Sequence, residues 1–497
     1  MLSMAGIGFE LRKLFVGRGA IRKVRAYAYA SIVCSGTMLL AVVLLLGIQW
    51  LAQVFGATVH DSQTLVAMMV YPLLGSLILS SVWQMLLSRY VADQLYRETP
   101  ERVLPSLFGG AILLMIPGGI LYALFLMKAP ELPFLDRFLN WVLFMELIVV
   151  WLQMAYITAA KDYRRILAVF FFGVGTALLM GFTLLLCGIS VLTALMASLA
   201  CGYGVMLLGF TRVLLIYFPQ GKGSLFAFLE WLGKTPDLIL TGLLSMSGAF
   251  VHLVIMWFSP LGETVAGQFR HAPSHDAAAF FAFLVTIPAN VNFVVSVEVN
   301  FYQKYRRYFS AITGGGTLSE IRLARDDMVT VLNQEIFKLA QVQVFFMVTY
   351  AVMMRYFLET IGFTREMVGM FQVMCVGYSA YAVGNSLMLL QLYYNDRKGA
   401  LGTSFVFFTV NLLVTLQTLQ GPPLVYGVGL AAAGAAMYLV GLARLILYVR
   451  KIDYHVFCEQ PVLSKQKAGG WAKFAAGLER RATQKTARKQ KNEGVHA

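Results

Sequence analysis

Unbroken apolar runs of about 18 residues or more recur along this whole chain, each long enough to cross a hydrocarbon core of roughly 30 Å as a helix. That feature removes most folds. A bilayer offers the backbone no water, so a spanning segment has to be a helix or part of a closed barrel. Barrel strands are about 10 residues long and alternate apolar with polar, and these runs do neither. An all-α integral membrane protein is expected. Composition agrees: 59% of residues are hydrophobic and 13% charged, against about 25% charged in a soluble domain.

The runs divide around one polar break at 218–237. Six spans are expected before it, at about 27–50, 65–87, 106–127, 138–160, 166–187 and 191–217. Six follow, at about 238–258, 277–299, 336–357, 367–392, 400–419 and 425–449. The organisation is then an interfacial segment (1–26), a six-helix lobe (27–217), a connector (218–237), a second six-helix lobe (238–449) and a basic tail (450–497). Twelve spans leave both termini on one side. Of the 40 Lys and Arg residues, all but Lys128, Arg137, Arg270, Arg355 and Arg365 fall on that side. Positive charge stays with the cytoplasm, so both termini and the connector are expected there.

Segment 1–26 interleaves Phe9, Leu11, Leu14 and Phe15 with Arg12, Lys13 and Arg18, and Gly17 and Gly19 interrupt it. It reads as short interfacial helices with basic heads at an anionic leaflet. The tail, densest in charge from Lys473 to Lys491, reads as a solvated or lipid-surface arm; it lacks the aromatic platform that nucleic acid binding uses. Thr317 and Glu320 have capping-box spacing, so a helix is expected to run from there into the ninth span. Weak internal repetition is visible as well. Ser35-Gly36 and Ser247-Gly248 sit at similar depths in the first and seventh spans, and Arg89 to Arg97 echoes Tyr302 to Arg307.

Catalytic signatures are missing. There is no GxSxG and no HExxH, and Gly221-Lys222-Gly223 has the wrong spacing for a phosphate loop. The five cysteines are scattered and make no CxxC pair. Loops on both faces are too short for a membrane glycosyl- or acyltransferase. Pro273 works against a metal site from His271, His275, Glu263 and Asp276, so 259–276 reads as a polar loop. No enzyme activity, metal or cofactor is expected. Polar groups inside spans are more informative, because an ionised group at mid-bilayer costs roughly 2.5–3.5 kcal/mol on insertion scales. Glu146 and His252 are the clearest. Asn290 and Asn292 follow Pro288, whose kink frees a carbonyl. Gln84, Trp83, Tyr71 and Trp257 could line a sugar path, since aromatic faces stack on pyranose rings. Each also suits helix–helix hydrogen bonding, packing or an interface belt.

The stretch Met4–Leu14, MAGIGFELRKL, resembles the opening of the Pel exopolysaccharide transporter family. Asp453–Pro461, DYHVFCEQP, resembles the segment that follows the last span there, and span spacing fits over about 4–461. That family is similar to the multidrug/oligosaccharidyl-lipid/polysaccharide (MOP) exporter superfamily. The resemblance implies two six-helix MATE-like lobes with a cavity lined mainly by spans one, two, seven and eight. It implies an inner-membrane exporter or flippase for a Pel-type amino-sugar exopolysaccharide, or its precursor, moving from cytoplasm to periplasm. Partners would be a cytoplasmic glycosyltransferase and two further Pel inner-membrane components, one sensing cyclic di-GMP. It favours His252, Asn290 and Asn292 for the substrate path, leaving Glu146 for ion or proton coupling. Two alternatives stay open: a drug/cation antiporter of the same fold, which needs a mid-membrane acid, and a non-conducting scaffold for the glycosyltransferase.

Overall fold

The computed structural model describes residues 20–160, 163–219 and 224–458, with Gly470 and Gly477 beyond them. Segment 1–19, Gly221–Gly223, nearly all of the tail and the side chain of Glu298 lie outside the described residues. Among the described residues twelve helices are long and apolar enough to cross a membrane. The first half supplies α1 (Ala20–Val54), α2 (Val59–Tyr96), α3 (Val103–Met127), α4 (Phe134–Ala160), α5 (Tyr163–Leu186) and α6 (Val191–Tyr217). Arg22, Lys23 and Arg25, expected in an interfacial segment, lie on α1 and continue the first span as one helix.

The connector carries a short helix, α7 (Leu229–Lys234). The second half runs from α8 (Pro236–Met256) through a two-stranded hairpin, β1 (Glu263–Val265) and β2 (Phe269–His271), into α9 (Pro273–Phe283) and α10 (Ile287–Val295). It continues with α11 (Tyr302–Thr313), α12 (Leu318–Thr360), α13 (Arg365–Tyr393), α14 (Arg397–Thr418), α15 (Val428–Arg450) and the short α16 (Ile452–Phe457). The capping box behaves as the sequence predicts: Thr317 Oγ1 accepts from the Glu320 amide at 3.3 Å, and Glu320 Oε2 accepts from the Thr317 amide at 2.8 Å. At 43 residues α12 is about 65 Å long, over twice the apolar layer, so much of it stands outside.

In the second and eighth spans, polar side chains from other helices serve backbone carbonyls. Pro72 lies inside α2 and has no N–H for the Met68 carbonyl. Asn140 of α4 donates to that carbonyl at 2.6 Å and accepts from the Tyr122 hydroxyl at 2.6 Å. The eighth span is broken outright. A 3-10 turn (Leu284–Thr286) separates α9 from α10, Pro288 sits in the first turn of α10, and a π turn (Ser296–Phe301) leads into α11. Gln343 donates to the Val285 carbonyl at 2.8 Å and Tyr350 to the Phe281 carbonyl at 2.8 Å.

The halves pack by one plan. In the first, α1 packs on α5, α2 on α4, α3 on α4, α4 on α6 and α5 on α6. In the second, α8 packs on α14, α9 on α13, α12 on α13, α13 on α15 and α14 on α15. Gly36 meets Leu167 of α5 and Gly248 meets Phe407 of α14, so the two Ser-Gly pairs occupy equivalent crossings. Each lobe has its own apolar core. Between lobes α2 packs on α8, and α1 on α10. A side chain at Gly242 of α8 would strike the Ser81 carbonyl of α2, its Cβ arriving at 2.5 Å, so this close crossing needs glycine.

Candidate functional site

A cleft of about 760 Å³ opens between the lobes on the face that carries the connector. Its walls come from α2, from α7 and α8, and from α13 with the turn after it. Charge is concentrated at the mouth, on Arg89, Asp93, Arg97, Lys234 and Arg397. These groups are held in place. Arg89 pairs with Asp93 at 3.2 Å. Trp231 donates from Nε1 to Asp93 at 2.7 Å, with Arg97 5.5 Å and Lys234 4.9 Å from its ring. Arg397 donates to the Lys234 carbonyl at 3.0 Å. Deeper, the lining is neutral: Ser81, Gln84 and Ser88 of α2, Ser245 of α8, and Tyr381 and Asn385 of α13, among methionines and leucines.

The connector belongs to the first lobe. Phe228, Leu229 and Trp231 are buried in that lobe's core, and Trp231 meets Tyr90 edge-on at 4.9 Å. The second lobe therefore begins at α8, and α8 carries one wall of the cleft.

On the opposite face the lobes are closed. Val265, Ala266 and Phe269 of the hairpin are buried in the core of the first lobe. Tyr71 of α2 stacks on Trp257 at 4.8 Å and on Phe125 at 5.3 Å, and Phe269 meets it edge-on at 5.0 Å. Its hydroxyl donates to the Arg270 carbonyl at 2.9 Å and accepts from the Arg270 amide at 3.0 Å. Gln63 donates to Glu263 at 3.0 Å. His271 is buried, which pushes its imidazole below the ordinary range while the Asp276 and Glu263 carboxylates pull the other way. Segment 259–276, expected as a polar loop, is thus an ordered hairpin closing a seam.

Of the residues singled out in the sequence, Gln84 lines the cleft. Tyr71 and Trp257 sit in the seam. Trp83 packs edge-on against Phe228 of the connector at 5.6 Å. His252 is buried inside the second lobe, 3.3 Å from the Tyr378 hydroxyl. Asn290 is exposed on α10, whereas Asn292 is buried and its Nδ2 has no hydrogen-bond partner among the described residues. Glu146 faces α6, where a Cβ on Gly204 would come within 3.1 Å of its Oε1. Sequence reasoning passed over Ser245, Tyr381, Asn385 and the role of the charged mouth. A signal was present: Ser81, Gln84 and Ser88 fall at i, i+3 and i+7, a polar stripe on one face of an apolar helix.

Solved structures share this architecture at low identity. An outward-facing MATE family transporter of the MOP superfamily superposes with a TM-score of 0.60 at 10% identity, covering 85% of this chain and 96% of that one. A MOP superfamily transporter from Pyrococcus furiosus gives 0.54 at 12%, covering 86% and 96%. The eukaryotic MATE transporter AtDTX14 gives 0.54 at 10%, covering 92% and 98%. These likenesses show the fold. No curated protein sequence matches the chain. The family model PelG, described as an exopolysaccharide exporter (EPS-E), matches residues 4–457. With that match over nearly all of its length, this multi-pass, MATE-like membrane protein belongs to the PelG family of exopolysaccharide exporters.

Proposed function

We propose that the chain moves a Pel-type amino-sugar exopolysaccharide, or its precursor, from cytoplasm to periplasm across the bacterial inner membrane, loading it in the cleft. One observation carries this reading: a neutral wall of amide, hydroxyl and aromatic groups lies behind a charged mouth, with the opposite face sealed. Gln84 and Asn385 can each donate to and accept from sugar hydroxyl and acetamido groups. The Tyr381 ring offers an apolar face to a pyranose. A neutral wall fits a polymer that has to slide on as well as bind.

The skew of Lys and Arg supports a cytoplasmic cleft mouth, where a glycosyltransferase would deliver polymer. Two lobes of one plan meeting at the α2–α8 and α1–α10 crossings suit rocking about those contacts, which would close the mouth and part the seam. Tyr71 and Trp257 then act in the far-side closure, and His252 supports it from behind.

The test uses a strain that carries the rest of the polymer pathway. Secreted and retained polysaccharide are measured for the wild type, a deletion, Gln84→Ala, Tyr381→Ala, Asn385→Ala, His252→Ala and Asn292→Ala, with membrane levels checked by blot. Normally inserted cleft variants are expected to lose secretion. Wild-type secretion in all three cleft variants, with loss only on deletion, refutes a conducting path here and favours a scaffold. Glu146→Gln in the same assay tests the antiporter alternative, which requires that acid.

A further inference from the structure

The second lobe gathers two buried histidines and a half-buried aspartate next to the seam and outside the cleft. His252 of α8 is 1% exposed and His275, in the first turn of α9, is 0% exposed. Their rings are 5.5 Å apart. Asp276 follows, its Oδ1 3.7 Å from His275 Nδ1, too far for a hydrogen bond. Among the described residues, Nδ1 of His252, both ring nitrogens of His275 and Oδ1 of Asp276 have no hydrogen-bond partner. Buried polar atoms are almost always paired, and an orphan costs its full desolvation. Four orphans converging from α8 and α9 are a poor way to build a core. They are an efficient way to receive one mobile positive charge.

The same Asp276 carboxylate holds the seam. Its Oδ2 accepts from Trp257 Nε1 at 2.9 Å and from the Ala272 amide at 3.1 Å. Trp257 is the ring on which Tyr71 of the other lobe stacks, and Ala272 directly follows β2. One oxygen of the carboxylate thus faces His275 while the other fastens the parts that keep the lobes together.

We infer that His252, His275 and Asp276 form a proton-binding site whose occupation loosens the inter-lobe seam. A proton passes from water to a free ring nitrogen of His275. The imidazolium then attracts the adjacent carboxylate, and His252 can share the proton through its own free nitrogen. A carboxylate drawn toward His275 gives up Trp257 Nε1 and the Ala272 amide, so Tyr71 loses the base of its stack. Acid therefore favours the parted seam.

Other charged or titratable groups around the site are His271, Glu263 and Arg270 on the hairpin, Tyr71 from α2, and Tyr378 from α13. His271 is the rival, since an imidazole depressed by burial favours the docked hairpin at neutral pH and opposes it as pH falls. The experiment has to separate it.

The full chain, with native cysteines replaced by alanine, carries spin labels at Val59→Cys and Thr264→Cys, exposed positions on the two sides of the seam. Distance distributions are recorded in lipid nanodiscs at pH 8 and 5.5. The ratio of long to short distances is expected to rise on acidification by on the order of tenfold. His252→Gln, His275→Gln and Asp276→Asn should each abolish the rise, whereas His271→Gln should keep it. Each variant is read only as a monodisperse species on gel filtration, so misfolding of one leaves two others. An acid response that survives all three substitutions overturns the inference, as does one abolished by His271→Gln. The inference rests on the seam being a moving part. A long-distance population that ignores pH overturns the proton site alone, and its absence at both pH values overturns the moving seam as well.

Discussion

Tyr71→Phe removes one oxygen from the seam and leaves the ring. The stacks on Trp257 and Phe125 and the edge contact with Phe269 all survive. What goes is a pair of hydrogen bonds to the two backbone groups of Arg270, at 2.9 and 3.0 Å. Arg270 stands opposite Thr264 in the hairpin, and its amide and carbonyl both turn to Tyr71. Each bond is worth about 0.5–1.5 kcal/mol net, so the pair contributes about 1–3 kcal/mol to the closed seam. When the lobes part, water serves Arg270, so the whole cost falls on the closed state. Closed over parted should therefore drop by about 5- to 150-fold. The assay is maleimide labelling of Val265→Cys, 4% exposed under the first lobe, in a background free of native cysteines. While reclosing outpaces labelling, the rate follows the parted population. Tyr71→Phe is expected to accelerate labelling by that factor. A rate within about twofold of the parent would mean that the hydroxyl contributes under ~0.5 kcal/mol, and the seam would then be held by packing.

Two further outcomes follow from the geometry. Asn140→Leu orphans the Met68 carbonyl that Pro72 leaves free, and should cost about 1–3 kcal/mol in reversible unfolding in detergent. Part of that cost should vanish in a Pro72→Ala background, where residue 72 regains an N–H; a coupling below about 0.3–0.5 kcal/mol in the double-mutant cycle rejects the pairing. Gly109→Ala places a Cβ 1.9 Å from the Leu225 carbonyl oxygen, an overlap of the kind that costs about 1–3 kcal/mol. The connector should lift from the first lobe and tryptic cleavage after Lys234 should quicken, and unchanged cleavage would show that the backbone there gives way freely.

The eighth span shows where sequence reading stops. Pro288 announces a break, and the span is broken, yet a 3-10 turn lies just before the proline and a π turn follows the helix that contains it. Their positions are settled by Gln343 and Tyr350, which are 58 and 69 residues from the carbonyls they serve. The hairpin was hidden for a related reason. Its strands are three residues long, below any periodic signal, and their stability comes from burial against a lobe about 200 residues earlier in the chain. Gln84 was legible as a polar residue in a span, but so were His252 and Asn292, and nothing local separates a group that faces a cleft from one that faces another helix. Tyr71 and Trp257 were legible as aromatics near a membrane face; that they meet each other across the lobes was not.

The sequence by itself determines the number of spans, their order, the break between halves and the cap that starts α12. Each follows from length, composition or spacing within about forty residues, because a bilayer forces every span to satisfy its own backbone. It also determines membership of an exporter family, through the match over residues 4–457. Only the tertiary structure decides which faces meet. Helices in an apolar solvent are matched by small residues and by single hydrogen bonds, and here Asn140 against Met68 fixes helices within the first lobe, while Gly242 against Ser81 and Tyr71 against Arg270 join the two lobes. Those partners lie 161, 72 and 199 residues apart in the chain, and the cleft, the seam and the histidine pair exist only once they have met.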